Sequence, residues 1–250
     1  MVDKLKNWIN NYYSVFLLLV VWEIVAMSGI FPERLFPSMT LIIQNIFELA
    51  SSGVLWGDLG ATLYRLFIGF ALAAVIGVFL GIYMSKHPFF DGLMQPIFSI
   101  GYPIPRVALY PIVVFVIGLG SGSKIFLIFL ECLFPIVIST YFGAKRVNNV
   151  YLWSGQNMGA SSKEMFWKIT LPATMPSIFT GFRIAIPLAF VVAVLTEMIT
   201  STEGLGNLLT FMEASLRQDQ VLAVVTVISI VGFIIDRIVG IVRKKYVHWG

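Results

Sequence analysis

The stretch Gly118-Leu119-Gly120-Ser121-Gly122-Ser123-Lys124-Ile125 is the closest this sequence comes to a phosphate-binding loop. Such a loop needs a Gly directly before its Lys and a Ser or Thr directly after it. Ser123 and Ile125 hold those places here, so nucleotide hydrolysis by this chain is not expected. The two histidines, His87 and His248, stand alone and read as solvated loop residues. Neither HExxH nor GxSxG occurs, and no acidic cluster is present. The single cysteine, Cys132, lies in an apolar block and reads as a small core residue. It excludes an internal disulfide framework and a cysteine-based metal site. Neither catalysis nor a bound metal is expected.

What remains is charge set inside apolar sequence: Glu23, Arg65, Arg106, Glu131, Arg183, Glu197, Asp236 and Arg237. Charge at membrane depth is costly, and it marks pathways or internal pairs. Arg183, Asp236 and Arg237 fall near the ends of apolar runs, where long side chains reach the interface. Glu131 lies well inside its run and reads either as a pore-lining carboxylate or as one half of an internal pair. Arg106 follows the broken stretch Pro103-Ile104-Pro105. Irregular backbone at membrane depth is tolerated where it is buried in protein or lines a cavity. Ser99, Tyr102 and Arg106 are therefore pore-lining candidates, and a cation there suits an anionic solute.

One polar segment is long enough to hold a folded unit, from Trp153 to Pro172 within 147–174. It reads as two short helices around a turn. Gly159 allows a tight bend. Ser161 and Glu164 have the spacing of a capping box. Met165, Phe166, Trp167 and Ile169 make the second helix unusually apolar, and Pro172 is expected to end it. Such a helix either offers a docking surface to another protein or packs under the bundle.

The composition says what must carry these residues. The chain of 250 residues is 58% hydrophobic and 12% charged, with a mean hydropathy of +0.88. A soluble domain carries about 25% charged residues. The apolar residues come in long blocks, which favours membrane helices over an alternating barrel. The net charge of +4 does not indicate nucleic acid, because the longest basic run is Arg243-Lys244-Lys245. About six spans are expected, near 12–30, 60–85, 93–119, 124–145, 175–200 and 221–243. The third is interrupted by Pro96, Pro103, Pro105 and Pro111. The first could instead be a cleaved signal peptide, but a signal anchor suits five further spans better. An amphipathic helix at 40–49 is expected on the outer surface, and 201–220 either lies along the membrane or packs into a vestibule.

Lys4, Lys6, Lys86, Lys145, Arg146, Lys163, Lys168, Arg243, Lys244 and Lys245 fall on one side of this arrangement, and Arg34, Lys124 and Arg217 on the other. The positive-inside rule then puts both termini in the cytoplasm. Trp8, Tyr12 and Tyr13 at one end, and Tyr246 and Trp249 at the other, suit interfacial anchoring.

Gly159, the nine residues after it, Ile169 and Leu171-Pro172 resemble the "EAA" loop of permease subunits in binding-protein-dependent ABC importers. Leu63 to Phe70, Ile104 to Pro111, Phe115 to Gly120, Phe179 to Ala185, Glu197 and Gly204-Leu205-Gly206 resemble other parts of that family. Its aliphatic-sulfonate, taurine and nitrate type is the nearest subgroup. The loop's Glu-Ala-Ala falls on Trp153-Ser154-Gly155, so its acidic residue is missing here. The two small residues still fit close packing.

The resemblance implies an all-α integral membrane protein with a type I, MetI-like permease core and a cytoplasmic coupling helix. Residues 1–57 would form an N-terminal span and outer segment, 58–250 the permease core, and 153–172 the coupling loop. Ser154, Gly155, Gly159, Ala160, Ser161, Glu164, Phe166, Ile169, Leu171 and Pro172 would couple to the ATPase, with Arg65 and Glu197 as structural charges. Implied partners are two cytoplasmic ATPase subunits holding ATP and Mg, a second permease copy and an extracytoplasmic solute-binding protein. The chain itself would bind no cofactor and sit in the bacterial cytoplasmic membrane. The expected cargo is a small anionic organic solute of sulfonate, taurine or nitrate type. Similar permeases carry a thiamine-type pyrimidine precursor or riboflavin. A secondary transporter without an ATPase would be expected to show an internal repeat of the bundle, and none is visible. A non-transporting membrane scaffold is the third class.

Overall fold

The computed structural model describes residues 2–33 and 35–246. Arg34, His248 and Trp249 lie outside the described residues, as do the side chains of Lys4, Lys6, Trp8, Tyr12 and Tyr246. The elements, in chain order, are α1 (Val2–Met27), α2 (Met39–Ser51), α3 (Val54–Lys86), α4 (Pro88–Gly101), a 3-10 turn (Arg106–Leu109), α5 (Tyr110–Ile117) and α6 (Ser121–Lys145). They continue with α7 (Asn149–Asn157), α8 (Ser162–Glu164), a wide π-type turn (Met165–Thr170), α9 (Leu171–Thr200), α10 (Leu205–Ala214) and α11 (Gln218–Tyr246).

The core is α3, α6 and α9 packed side by side. In lipid, helices associate by close packing of small residues, because tails are as apolar as leucine. Gly69, Ala73, Gly77 and Gly81 supply that stripe on α3, at every fourth position, and all four are buried. A Cβ at Gly69 or Gly77 would overlap the side chain of Ile128 or Ile136 on α6. On the other side of α6, Gly181 of α9 lies against the backbone of Pro135 and Ile136. The outward faces of α1, α3 and α11 keep large apolar side chains exposed, among them Phe16, Phe67, Val75 and Ile238. Those faces suit lipid.

Four stretches are long and apolar enough to cross a membrane, and a fifth is a bent pair. The third expected span is not one rod. Its halves, Pro88–Gly101 and Arg106–Ile117, meet at 94°. Pro103 and Pro105 cannot donate to a continuing helix, which concentrates the break at Tyr102 to Pro105. The first expected span is α1, whose described apolar part is only Tyr13–Met27. The helix expected at 40–49 is α2, and the bundle takes one side of it while Ile43 and Phe47 stay exposed on the other. Ile42, Asn45 and Leu49 are buried on the side that packs against α11. The 201–220 segment forms α10, which buries Leu205, Leu208 and Met212 in the bundle and leaves Phe211 outside.

The stretch that carries the fifth expected span, at 175–200, corrects another expectation. Pro172 does not end the loop helix. It occupies the first turn of α9, where a missing N–H costs little. The wide turn at Met165–Thr170 joins the loop to the span without a break. The whole run from Ser162 to Thr200 has 39 residues. At 1.5 Å per residue that is about 58 Å, far longer than a 30 Å core. Its first turns, with Ser162, Lys163 and Lys168 exposed, therefore project beyond the membrane.

Candidate functional site

Beside the start of α10 the two expected structural charges meet. Arg65 of α3 donates from Nη1 to Glu197 Oε1 of α9 at 2.6 Å, and both side chains are buried. Arg65 also reaches Ser121 Oγ at 3.0 Å, Glu203 Oε1 at 2.5 Å and the Glu203 carbonyl at 3.0 Å. The sequence reason for this cluster is the start of α10. Its N-cap is Gly204, which has no side chain to accept from the orphan N–H groups of the first turn. Other helices supply the acceptors. Asp58 takes the Gly204 N–H at 2.7 Å, Thr62 the Leu205 N–H at 2.9 Å, and Glu197 the Gly206 N–H at 3.2 Å. Gly204 has φ +112, and a Cβ there would overlap the Glu197 carboxylate. The glycines of Gly204-Leu205-Gly206 thus let backbone close onto a buried carboxylate. Lys124, expected in an outer turn, is buried and donates to the Thr200 carbonyl at 2.9 Å. Asp58, Thr62 and Glu203 were not singled out from sequence; the signal for them was a glycine-started helix lacking its own cap.

The four pore-lining candidates fall into two pairs. Ser99 and Tyr102 line a cavity of about 410 Å³ between α4 and α6, floored by Met84 of α3. Asp91 Oδ2, which accepts from Tyr141 at 2.7 Å and Lys145 at 2.8 Å, clamps the first turn of α4 to the last turns of α6. Arg106 and Glu131 are not among that cavity's lining residues. They face each other, with Arg106 Nε 3.8 Å from Glu131 Oε2. The guanidinium lies 4.3 Å over the Phe134 ring and donates from Nη1 to the carbonyls of Tyr102 and Ile104 at 2.6 and 2.9 Å. Those carbonyls are free because the helix breaks there. Arg106 Nη2 is buried and has no partner. Of the two readings for Glu131, the geometry supplies the internal pair.

The polar loop is rigid for reasons that its residues explain. The N–H groups of Gly159 and Ala160 donate to the carbonyls of Gln156 and Gly155, at 2.9 and 3.0 Å. With Gly159 at φ +77, this closes α7 by a Schellman motif, which favours glycine at that position. Ser161 then caps α8, and the capping box with Glu164 is complete. A hydrogen bond from Lys168, then bonds from the Ser161 backbone and hydroxyl, hold the Glu164 carboxyl down at about 2. Gly155 is buried, and a Cβ there would overlap Ile169 and Met165, so α7 lies flat on the wide turn.

The apolar residues of this loop divide. Phe166, expected to meet a partner, stacks instead on Phe79 of α3, at 5.7 Å and 7° between ring planes. Lys86 ties the same place together by donating to Thr170 Oγ1 at 3.2 Å. Ile169 packs on Gly155, and Leu171 and Pro172 sit half-buried in the first turn of α9. These side chains hold the loop under the bundle. Ser154, Gly159, Ser161, Lys163 and Trp167 are exposed, with Ala160 half-buried and Glu164 partly so. Met158, 86% exposed at the tip, is an outward-facing residue that was not selected from sequence.

Residues 73–248 match the family described as the binding-protein-dependent transport system inner membrane component. The taurine transport system permease protein TauC of Escherichia coli is 30% identical over 237 residues, 93% of this chain and 86% of that one. The formylaminopyrimidine transport permease protein ThiX of Halalkalibacterium halodurans is 34% identical, over 87% of this chain and 86% of that one. The nitrate import permease protein NrtB of Synechocystis is 31% identical, over 94% and 87%. Among solved structures, a chain of the MetNI methionine ABC transporter in an inward-facing conformation superposes with a TM-score of 0.56 at 17% identity. It covers 81% of this chain and 98% of its own. The fold is that of a MetI-like permease, and the chain belongs to the family of membrane permease subunits of binding-protein-dependent ABC importers.

Proposed function

We propose that this permease carries a small anionic solute of the sulfonate, taurine or nitrate type, handed to it by an extracytoplasmic binding protein. Two copies form the pore. Each copy sits in the bacterial cytoplasmic membrane with both termini in the cytoplasm and docks on one of two ATPase subunits. ATP and Mg are held by those ATPases, where hydrolysis takes place. The tip from Met158 to Lys163, with Trp167, is the surface that meets the ATPase. The buried contacts of Phe166, Gly155 and Ile169 transmit its movement to α3 and α9.

The observation that carries this reading is the doubly capped loop. Its Schellman turn and capping box fix a short exposed tip on a wide turn continuous with a span. A push on such a tip moves a helix as a rigid body. Identities of 30% and 31% to the taurine and nitrate permeases favour an anionic cargo. A second reading, a pyrimidine-type cargo, is favoured by the 34% identity to the formylaminopyrimidine permease.

Gly159→Asp tests the coupling. Open space surrounds that position, and the strain of a side chain at φ +77 falls on the loop and not on the spans, so the variant should insert in the membrane and still lose ATP-driven uptake. Uptake at the unsubstituted rate would sink the coupling role. A cytoplasmic ATPase co-purifying with the intact chain, and not after residues 153–172 are replaced, would support it.

A further inference from the structure

The side of the bundle formed by α9 and α11 carries charges that neither the pore nor the loop absorbs. Arg183 of α9, with Asp236, Arg237, Arg243 and Lys244 of α11, lines a notch of about 370 Å³ shared with Gly240 and Ile241. Four cations face one carboxylate. Among the described residues, Arg183, Asp236, Arg243 and Lys244 have no hydrogen-bond or ion-pair partner within the chain. Arg237 lies 4.8 Å over the Phe233 ring.

Depth fixes what can cover them. At 1.5 Å per residue, Arg183 is about 21 Å along α9 from Glu197, and Arg237 about 24 Å along α11 from Val221. Arg243 is about 33 Å from Val221 by the same measure, which brings it to the far edge of a 30 Å core. The notch therefore straddles the boundary at the cytoplasmic side. Uncompensated cations there call for an anion from outside the chain, and basic pockets between helices at this level suit phospholipid head groups. The flanks are apolar and open, with Ile241 65% and Phe233 57% exposed. A side chain added at Gly240 would meet nothing within 4 Å, which leaves room for a glycerol backbone.

We propose that this notch binds the phosphodiester of an anionic phospholipid from the cytoplasmic leaflet. The three arginines and Lys244 hold the phosphate oxygens, and Asp236 accepts from a hydroxyl of the head group. The leaflet rests on the orientation given under the proposed function; the phosphate chemistry does not.

The purified chain is exchanged into detergent carrying either phosphatidylglycerol or phosphatidylcholine with the same acyl chains. Retained lipid is counted by native mass spectrometry. Phosphatidylglycerol should be held in preference. Arg183→Gln with Arg237→Gln should lower its retention about twenty-five-fold, at about fivefold per cation removed, and leave phosphatidylcholine unchanged. Gly240→Leu keeps every charge and should lower retention as well, by filling the notch. Equal retention of the two lipids, or retention unchanged in both variants, overturns the proposal. Displacement of the lipid by millimolar inorganic phosphate would assign the notch to a soluble anion instead. A Gly240→Cys disulfide between two copies would assign it to a permease interface. Either result overturns the lipid assignment. Because the measurement is made in detergent, an error in membrane orientation would leave its outcome untouched.

Discussion

Arg65 is the residue on which the α10 end of the bundle depends, because it is the only cation close to the buried Glu197 carboxylate among the ion pairs of the described residues. A buried ion pair is not in itself strong evidence for stability, since desolvation offsets much of the attraction. Breaking one is another matter. Arg65→Met leaves Glu197 buried against Thr62 and the Gly206 N–H with its charge uncompensated. The expected cost is about 3–5 kcal/mol, read as a lower thermal midpoint in detergent. Arg65→Met combined with Glu197→Met should recover part of that loss. A double variant no better than the sum of the singles would mean that the pair does not act as a unit. Sequence made this pair visible because each residue stood out as a charge in an apolar run. Its surroundings were not visible: Asp58, Thr62 and Glu203 look like ordinary polar residues until α10 begins on a glycine beside them. Arg106 and Glu131 were legible as charges in the same way, but their separation from the cavity lined by Ser99 and Tyr102 depends on the 94° turn between α4 and α5. Proline content marks a break without giving its angle.

At the scale of elements, the loop between α6 and α9 behaves as one unit because α7 is pressed flat against the wide turn. Gly155 makes this possible. Gly155→Val would drive a branched side chain into Ile169 and Met165 and lift α7 from the span it should move. ATP-driven uptake should fall while the amount of inserted protein stays level on a membrane immunoblot. Unchanged uptake would mean that α7 need not follow α9. The capping box makes a separate prediction about pH. The Glu164 carboxyl is depressed to about 2, chiefly by Lys168 and then by Ser161. A depressed carboxylate contributes its stabilisation fully above its unfolded value, about 4.3, and loses it as pH falls through the folded value. The box should therefore stay closed across pH 5–8. Limited proteolysis at Lys163 in inside-out vesicles, with a protease of flat pH profile, should proceed at one rate over that window. A rise on going from pH 8 to pH 5 would place the titration elsewhere in the loop. The box and the bend at Gly159 were legible in local spacing. The fate of Phe166 was not, because nothing in a chain sequence says that Phe79 of α3 comes within stacking distance of it. Pro172 misled for a related reason: a proline after a short helix reads as a stop, whereas here it opens a longer one.

For the whole molecule, the arrangement of spans sets a direction that labelling can read. With ten cations on one side of the expected spans and three on the other, the proposed orientation has the 147–174 loop and both termini in the cytoplasm. The same orientation puts the α10 turn outside. The chain offers an unusually clean background for the test, since its one cysteine, Cys132, is fully buried between α6 and α9. Ser162→Cys and Ser215→Cys replace exposed residues at the two opposite ends. A membrane-impermeant maleimide should react with Ser162→Cys only in inside-out vesicles and with Ser215→Cys only in intact, right-side-out cells. The unsubstituted chain should stay unlabelled in both. Reaction of the two variants from the same side would break the topology itself, because no single helix bundle with α9 crossing once can put both positions in one compartment. Reaction with the sides exchanged would keep the fold and reverse its orientation. That result would remove the tip at Met158 to Lys163 from the reach of any cytoplasmic ATPase, and with it the coupling role of the loop.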